Sequence, residues 1–121
     1  MSLSAAARRR YGRHLLLVEI GELGQERLMN AGFRPGPGRD PDAYAVAAEY
    51  LERAGCLRKD DGRDVRIADG RAVMRFAGSA ALRETAAAVA GAFAAVEHLK
   101  AVLGIAAPRD LPPDLTLRTE H

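Results

Sequence analysis

The longest apolar pattern in the chain lies towards its C-terminal end and predicts a helix. Ser79 can cap this helix, which is expected to run to Leu103 and to end at Gly104. Larger apolar residues recur at spacings near 3.5 and form one stripe: Leu82, Ala86, Val89, Phe93, Val96 and Leu103. Residues 85–96 carry no charge over about 18 Å of helix. We therefore expect a central helix that is buried on most of its sides.

Three small residues, Ala87, Gly91 and Ala95, recur four positions apart on the same helix. Residues at this spacing share a face, and their small size allows another backbone to approach closely. The pattern predicts either ordinary core packing or a subunit interface, because a short chain must cover both apolar faces of a two-faced helix. These three residues are the candidate interface positions.

Three shorter helices are predicted upstream. Residues 42–54 place apolar side chains at helical spacing, with Asp40 as N-cap and Pro41 at the first position. Residues 22–31 form a short helix that Gly32 ends. The alanine-rich start of the chain favours a helix to about residue 14.

The remaining segments predict one hairpin, one linker and an extended tail. Residues 64–68 and 72–76 resemble two strands, and the Asp69-Gly70 pair between them is a strong hairpin signal. Residues 33–41 hold three prolines and two glycines, which argues against a regular element.

These elements predict a single α+β domain that is mostly helical, with one β-hairpin and a long central C-terminal helix. Its parts are an N-terminal helical arm (1–32), a Pro/Gly linker (33–41), a helix–hairpin–helix core (42–107) and an extended tail (108–121).

Composition excludes several classes of site. The chain has 121 residues with 18 Lys and Arg against 16 Asp and Glu, and its basicity is concentrated in Arg8, Arg9, Arg10 and Arg13. Such a cluster can hold an anion but argues only weakly for nucleic acid. The single cysteine, Cys56, excludes an intramolecular disulfide and any site that needs several thiolates, and the histidines lack metal-ligand spacing. We expect no metal site.

A cytoplasmic location is the expectation from the apolar runs. The uncharged run at residues 85–96 is shorter than the ~20 residues that a membrane span needs. The arginines followed by residues 15–18 resemble a signal peptide only superficially, because Glu19 ends the apolar run.

Three stretches, in order, carry a family resemblance. Residues 10–28 read RYGRHLLLVEIGELGQERL, residues 46–55 read VAAEYLERAG, and residues 90–104 read AGAFAAVEHLKAVLG. Together they resemble the opening segment, the helix after the glycine-rich loop and the late helix of the ThiF/MoeB/HesA family, the bacterial relatives of ubiquitin-activating enzymes. The resemblance implies a homodimer and a link to ATP-dependent adenylylation of a ubiquitin-like or sulfur-carrier protein.

Departures from the family pattern imply that this activity is lost. The family's strand and Gly-x-Gly-Gly-x-Gly loop, whose amides hold the ATP phosphates, are expected to be replaced by Arg34-Pro35-Gly36-Pro37-Gly38-Arg39, in which Pro37 has no N–H. The family's zinc-binding Cys-x-x-Cys pairs and the central part that carries its Mg-binding aspartate are missing. Adenylation would then lack its charge stabilisation.

The leading hypothesis is therefore a shortened, catalytically silent relative that serves as a protein-binding or scaffolding subunit without a catalytic residue or cofactor. Its implied partners are a sulfur-carrier or ubiquitin-like protein or a full-length family member, with neither a membrane nor nucleic acid expected.

The alternative is nucleotide binding or residual adenylylation, with ATP and Mg²⁺ held by Arg13, Gly36, Gly38 and Asp61. An ordered parallel sheet with amides converging on a cleft near residues 36–38 would favour it. A third possibility is an anion or nucleic-acid binder that uses the basic arm, and its affinity would fall steeply with salt.

Overall fold

The computed structural model describes residues 21–117, and these residues form a mostly helical α+β domain. The predicted fold class is confirmed. The elements in chain order are α1 (Gly21–Ala31), β1 (Phe33–Pro35), α2 (Pro41–Arg53), β2 (Arg63–Val65), α3 (Gly70–Ala77), a 3₁₀ turn (Ala80–Leu82) and α4 (Arg83–Val102). The predicted helix before residue 14 and the basic cluster lie outside the described residues.

The predicted β-hairpin is wrong, because the two strands are parallel and come from different segments. β1 pairs with β2 in the register Phe33 with Arg63 and Pro35 with Val65. Asp69 does not enter a hairpin turn but caps α3, since its side chain accepts the Ala72 N–H at 2.8 Å. Residues 72–76 are helical because a helix buries Val73, Phe76 and Ala77 together on one side.

The linker predicted at residues 33–41 is also wrong at its start. Phe33 is fully buried, and its backbone N–H donates to Leu57 O at 2.9 Å while its carbonyl accepts from the Lys59 N–H at 2.9 Å. A three-residue strand fits before the first turn because Pro35 stands at its last position, where the missing N–H interrupts the pairing least. β1, α2 and β2 therefore form a βαβ unit.

The small-residue stripe of α4 packs against α2 inside the same chain. Ala87, Gly91 and Ala95 are all buried. A Cβ at position 91 would overlap the Ala43 carbonyl oxygen and lie 2.8 Å from the Cβ of Val46. The candidate interface positions are therefore not free to contact a second subunit, because α2 already occupies the groove that the small side chains create.

The helical stripe predicted that the larger apolar side chains of α4 lie in the core, but several of them do not. Val89 and Val96 are exposed and Phe93 is half-buried, whereas the buried face is made almost entirely of alanine and glycine. Small side chains on this face of α4 allow α2 to approach closely, so this face and not the one with the larger side chains is buried. α4 is central, but one of its apolar sides faces solvent.

The tail crosses α3 and α4 as an irregular segment. The Leu117 N–H donates to Phe76 O at 2.7 Å, and Leu111 and Leu117 cover the cluster around Phe76. Buried Glu97 holds the start of the tail, because its carboxylate accepts the Arg109 N–H at 2.9 Å.

One helical segment of the described residues, Ala80–Val102, is long and apolar enough to cross a membrane by length and composition. This is weak evidence, since the core helix of a globular domain passes the same test and 44% of the apolar stretch is buried.

Alanine at position 91 should destabilise the domain by about 1–3 kcal/mol, the usual range for overpacking a core. The added methyl group would overlap α2, which outweighs the gain in helix propensity. Gly70→Ala is the matched control, because a Cβ there meets only an Asp40 oxygen at 3.7 Å. Urea unfolding of both variants checks this, and equal stabilities would contradict the packing of α2 on α4.

Acidification should destabilise the fold in two steps, through His98 and then Glu97. Burial lowers the pKa of His98 below 6.5, and its Nε2 lies 3.2 Å from Gly32 O. The unfolded chain therefore binds a proton first, so the stabilisation by neutral His98 is present above pH 6.5 and is lost as the pH falls below it. The hydrogen bond from Lys100, with that from the Arg109 N–H, lowers the pKa of Glu97 below 4.5, so its contribution is lost below that pH.

Denaturant midpoints measured across both pH windows test this assignment. His98→Gln should flatten the upper step alone, and Glu97→Gln should flatten the lower step alone. An unchanged upper step in His98→Gln would show that another group causes it.

Candidate functional site

The carboxyl ends of both strands meet at one edge of the sheet and border a cleft. β1 runs into the loop that leads to α2, and β2 runs into the loop that leads to α3. The cleft between these loops has a volume of about 460 Å³. Its lining comprises Gly36, Pro37, Asp64, Val65, Arg66, Ile67, Ala68, Asp69, Ala72, Arg75, Asp110 and Leu111. In α/β sheets this edge is where ligands bind, so it is the candidate nucleotide site.

A buried carboxylate of the chain itself occupies the N-terminus of α2. Asp40 is 1% exposed, and its Oδ2 accepts the Ala43 N–H at 3.0 Å. Its Oδ1 accepts from Arg83 Nη2 at 2.6 Å, and Pro41 at the first helical position has no N–H. A phosphate bound at a helix N-terminus would need these same amides and this same positive field. The residues present therefore do not fit a triphosphate at this helix.

Arg83 balances the charge of Asp40 and joins α4 to α2. Its second nitrogen, Nη1, donates to Asp42 Oδ2 at 3.1 Å. The hydrogen bond to Asp42 and the charge of Asp40 raise the pKa of Arg83, which stays protonated. The guanidinium thus donates to two carboxylates and does not line the cleft.

Packing and turn geometry account for the two candidate glycines. A Cβ at Gly36 would lie 2.7 Å from Val65 O, so this residue is small because β2 passes beside it. Gly38 has φ +71° with open space around it, as a turn residue in the left-handed region requires. Gly36 lines the cleft and Gly38 does not, and each has a structural reason to be glycine.

The arginine of the same loop is folded back onto the protein. Arg39 Nη1 donates to Gly36 O at 3.4 Å, and its guanidinium lies 5.2 Å from the centre of the Tyr44 ring. Arg58 lies 5.7 Å from the same ring. The cation–π contact of Arg39 attaches the loop to Tyr44 of α2.

The structure does not bring the predicted nucleotide-binding residues together. Asp61 is exposed in the turn before β2, at the amino end of the sheet, whereas Gly36 and Gly38 follow the carboxyl end of β1. Arg13 lies outside the described residues.

Sequence reasoning missed three side chains that line the cleft from α3 and from the loop before it, namely Arg66, Asp69 and Arg75. Arg66 is paired with Asp110 at 3.0 Å, and Asp69 is the N-cap of α3. One signal could have found them: once residues 63–65 are assigned to a strand parallel to β1, the residues that follow must lie at the same edge as Gly36.

Cys56 is a packing residue. It is fully buried in the main core, and burial raises the pKa of its thiol to about 11, so the thiol is protonated at neutral pH. Within residues 21–117, no group of three His, Cys, Asp or Glu side chains is arranged to hold a metal ion.

A second candidate surface lies where the contact between α2 and α4 opens to solvent. It comprises Tyr50, Arg53 and Ala54 from α2 and Ala92, Ala95, Val96 and Leu99 from α4, which surround an apolar hollow of about 290 Å³. Tyr50 and Val96 are exposed at its rim. We call this surface, together with Val89, the α2–α4 face.

Comparison with known proteins gives no relative: no family model, curated protein or solved structure matches the chain.

Asp40→Ala should lower the free energy of unfolding by at least the ~1 kcal/mol that a lost N-cap typically costs. Asp40→Asn should lower it less, because asparagine keeps an acceptor for the cap but not the negative charge that pairs with Arg83. Asp42→Ala is the control, since Asp42 is 73% exposed and contacts only Arg83, and its effect should stay within about 0.5 kcal/mol. Thermal or urea unfolding measures all three, and equal effects of Asp40→Ala and Asp42→Ala would contradict the role of Asp40.

Proposed function

We propose that this chain is a shortened, catalytically silent relative of the ThiF/MoeB adenylyl-transferring enzymes and acts in the cytoplasm as a protein-binding or scaffolding subunit. The observation that carries the proposal is the pair of Asp40 and Arg83 at the N-terminus of α2. The carboxylate of Asp40 lies at the helix N-terminus, which is the position where a nucleotide-binding βαβ unit holds phosphate.

The βαβ unit supports the family part of the proposal. The family has a strand, a glycine-rich loop and a helix in this order, and the chain has β1, residues 36–40 and α2. The strand that the sequence was expected to lack is present, although it has only three residues. The loop then departs from the family at Pro37 and Asp40, which are the positions that weaken phosphate binding.

The α2–α4 face supports the binding part of the proposal. Residues 85–96 place no charged side chain on the solvent side of α4, and Val89 and Val96 are exposed there. Large exposed apolar patches mark contacts with other proteins, and we assign this role to the α2–α4 face. The proposed partners are a sulfur-carrier or ubiquitin-like protein or a full-length relative, and they rest on the family resemblance alone.

One observation favours nucleotide binding as a second candidate function. The sheet is parallel, and a cleft lies beside Gly36, where a nucleotide would be expected. Arg75 lines this cleft and could contact a phosphate. Under this alternative ATP with Mg²⁺ would be the ligand, and the acidic residues that line the cleft are Asp64, Asp69 and Asp110 rather than Asp61.

Calorimetric titration of the full chain with ATP and Mg²⁺ separates the two functions. We expect no binding in the micromolar range, because Asp40 would repel a phosphate at the N-terminus of α2. Micromolar binding that Arg75→Ala weakens and Met74→Ala leaves unchanged would overturn the silent assignment. Titration with a sulfur-carrier protein tests the other half, and failure to bind that protein or a full-length relative would remove the proposed partners.

A further inference from the structure

We propose that residues 8–20 of this chain dock in a groove between α2 and α4 of the same molecule. The inference goes beyond the proposed function, and it needs neither a nucleotide nor a partner protein. It gives the α2–α4 face an occupant from within the chain, so a protein that binds this face would compete with residues 8–20.

The groove follows one side of each helix from end to end. The hollow of the α2–α4 face opens at the C-terminal ends of the two helices, and a second hollow of about 560 Å³ opens at their N-terminal ends. The residues that line both hollows recur every three or four positions, which places them on one side of each helix. They include Asp42, Val46 and Tyr50 from α2 and Glu84, Ala88 and Ala92 from α4. The two hollows are therefore the ends of one groove, about 17 Å long from residue 42 to residue 53.

The middle of the groove is apolar and open to solvent. Val96 and Tyr50 are 54% and 50% exposed, and Ala88 is exposed as well. A groove between two packed helices with small side chains along it suits a third apolar segment, which can approach both helices closely. Docking of such a segment removes apolar area from water and is favourable for that reason.

The two ends of the groove differ in charge. Asp42 and Glu84 line the N-terminal end together with Arg83. Arg83 already compensates the buried carboxylate that caps α2, so this end keeps a net negative charge. At the C-terminal end Arg53 pairs with Glu49, and the pair carries no net charge. The groove therefore has an acidic end, an apolar middle and a neutral end.

Residues 8–20 have the matching order of charged and apolar side chains. They lie outside the described residues, and their sequence places four arginines within positions 8–13 and the apolar run at positions 15–18. Opposite charges attract the arginines to the acidic end of the groove, and the apolar run then lies along its middle. The reverse direction would leave Asp42 and Glu84 without a cation from this segment.

The position of α1 permits the direction that the charges favour. Gln25 Nε2 donates to Ala54 O, and Arg27 Nη1 donates to Leu103 O at 3.4 Å, so α1 lies across the C-terminal ends of α2 and α4. Residue 20 directly precedes α1 and is therefore attached near the neutral end of the groove. Residues 8–20 would span about 20 Å as a helix and more when extended, which is enough to reach the acidic end.

Hydrogen exchange of the full chain, measured by mass spectrometry, tests the docking. We expect slow exchange at residues 14–20 of the wild type. Val96→Glu should speed it at least about tenfold, because docking would bury the new carboxylate against the apolar run. Val96 is 54% exposed, so the variant should fold, and its unfolding curve checks this.

Met74→Glu is the matched control for this measurement. Met74 is 40% exposed, but it lies on α3 and does not line the groove, so exchange at residues 14–20 should stay as in the wild type. Fast exchange at residues 14–20 of the wild type, or equal exchange in Val96→Glu and the wild type, would overturn the inference.

Charge reversal at the acidic end tests the direction of docking. Glu84→Arg should speed exchange at residues 8–20, and added salt should do the same in the wild type, because both weaken the attraction of the arginines. Asp61→Arg makes the same change of charge in the turn before β2, outside the groove, and should have no effect. Equal exchange in the two variants would contradict the placement of the arginines.

Dilution separates docking within one molecule from exchange of the segment between two copies. Protection by docking within one molecule is independent of protein concentration, whereas protection that is lost on dilution would show that the groove is filled by another copy and would overturn the inference. None of these results bears on the ATP titration, so their failure would leave the silent assignment in place.

Discussion

The arrangement of this domain depends on one buried carboxylate. Asp40 caps α2 through the Ala43 N–H, pairs with Arg83 at the start of α4, and donates its own backbone N–H to Ala68 O in the loop after β2. A charge buried to 1% exposure is tolerated only when hydrogen bonds and an opposite charge compensate it. The three partners come from three different segments, so this requirement fixes the βαβ unit and the long helix relative to each other.

The same carboxylate decides what the cleft can do. Parallel strands and helix N-termini at one edge of a sheet usually create a site for anions. Here Asp40 occupies the N-terminus of α2 and Asp69 occupies that of α3, so the chain satisfies both with its own side chains. A parallel βαβ unit is therefore present, while amides at its helix ends are used internally. The proposed binding function therefore falls to the outer surface, where the middle of α4 carries no charge.

Sequence reasoning located α1, α2 and α4 well, but it missed α3 and the sheet. The ends of α2 were predictable because Asp40, Pro41 and Gly55 are strong local signals, and the extent of α4 was predictable from its uncharged run. Asp69-Gly70 was misassigned because the same pair serves as a hairpin turn or as a helix start, and local sequence does not distinguish them. β1 was missed because three residues that end in proline carry almost no pattern, and their pairing partner lies 30 positions away. Of the candidate nucleotide-binding residues, Gly36 lines the cleft, whereas Asp61 lies in the turn before β2, at the opposite end of the sheet.

The sequence by itself determined where α1, α2 and α4 lie, that one cysteine cannot form an intramolecular disulfide, and that the middle of one long helix carries no charge. These properties follow from neighbouring residues, whose caps, prolines and spacing act over a few positions. Only the tertiary structure decided which side of α4 is buried, because the choice depends on how closely α2 can approach Gly91. It also decided that the strands are parallel and that Asp40 meets Arg83, since contacts between residues 43 positions apart are set by packing and not by local sequence.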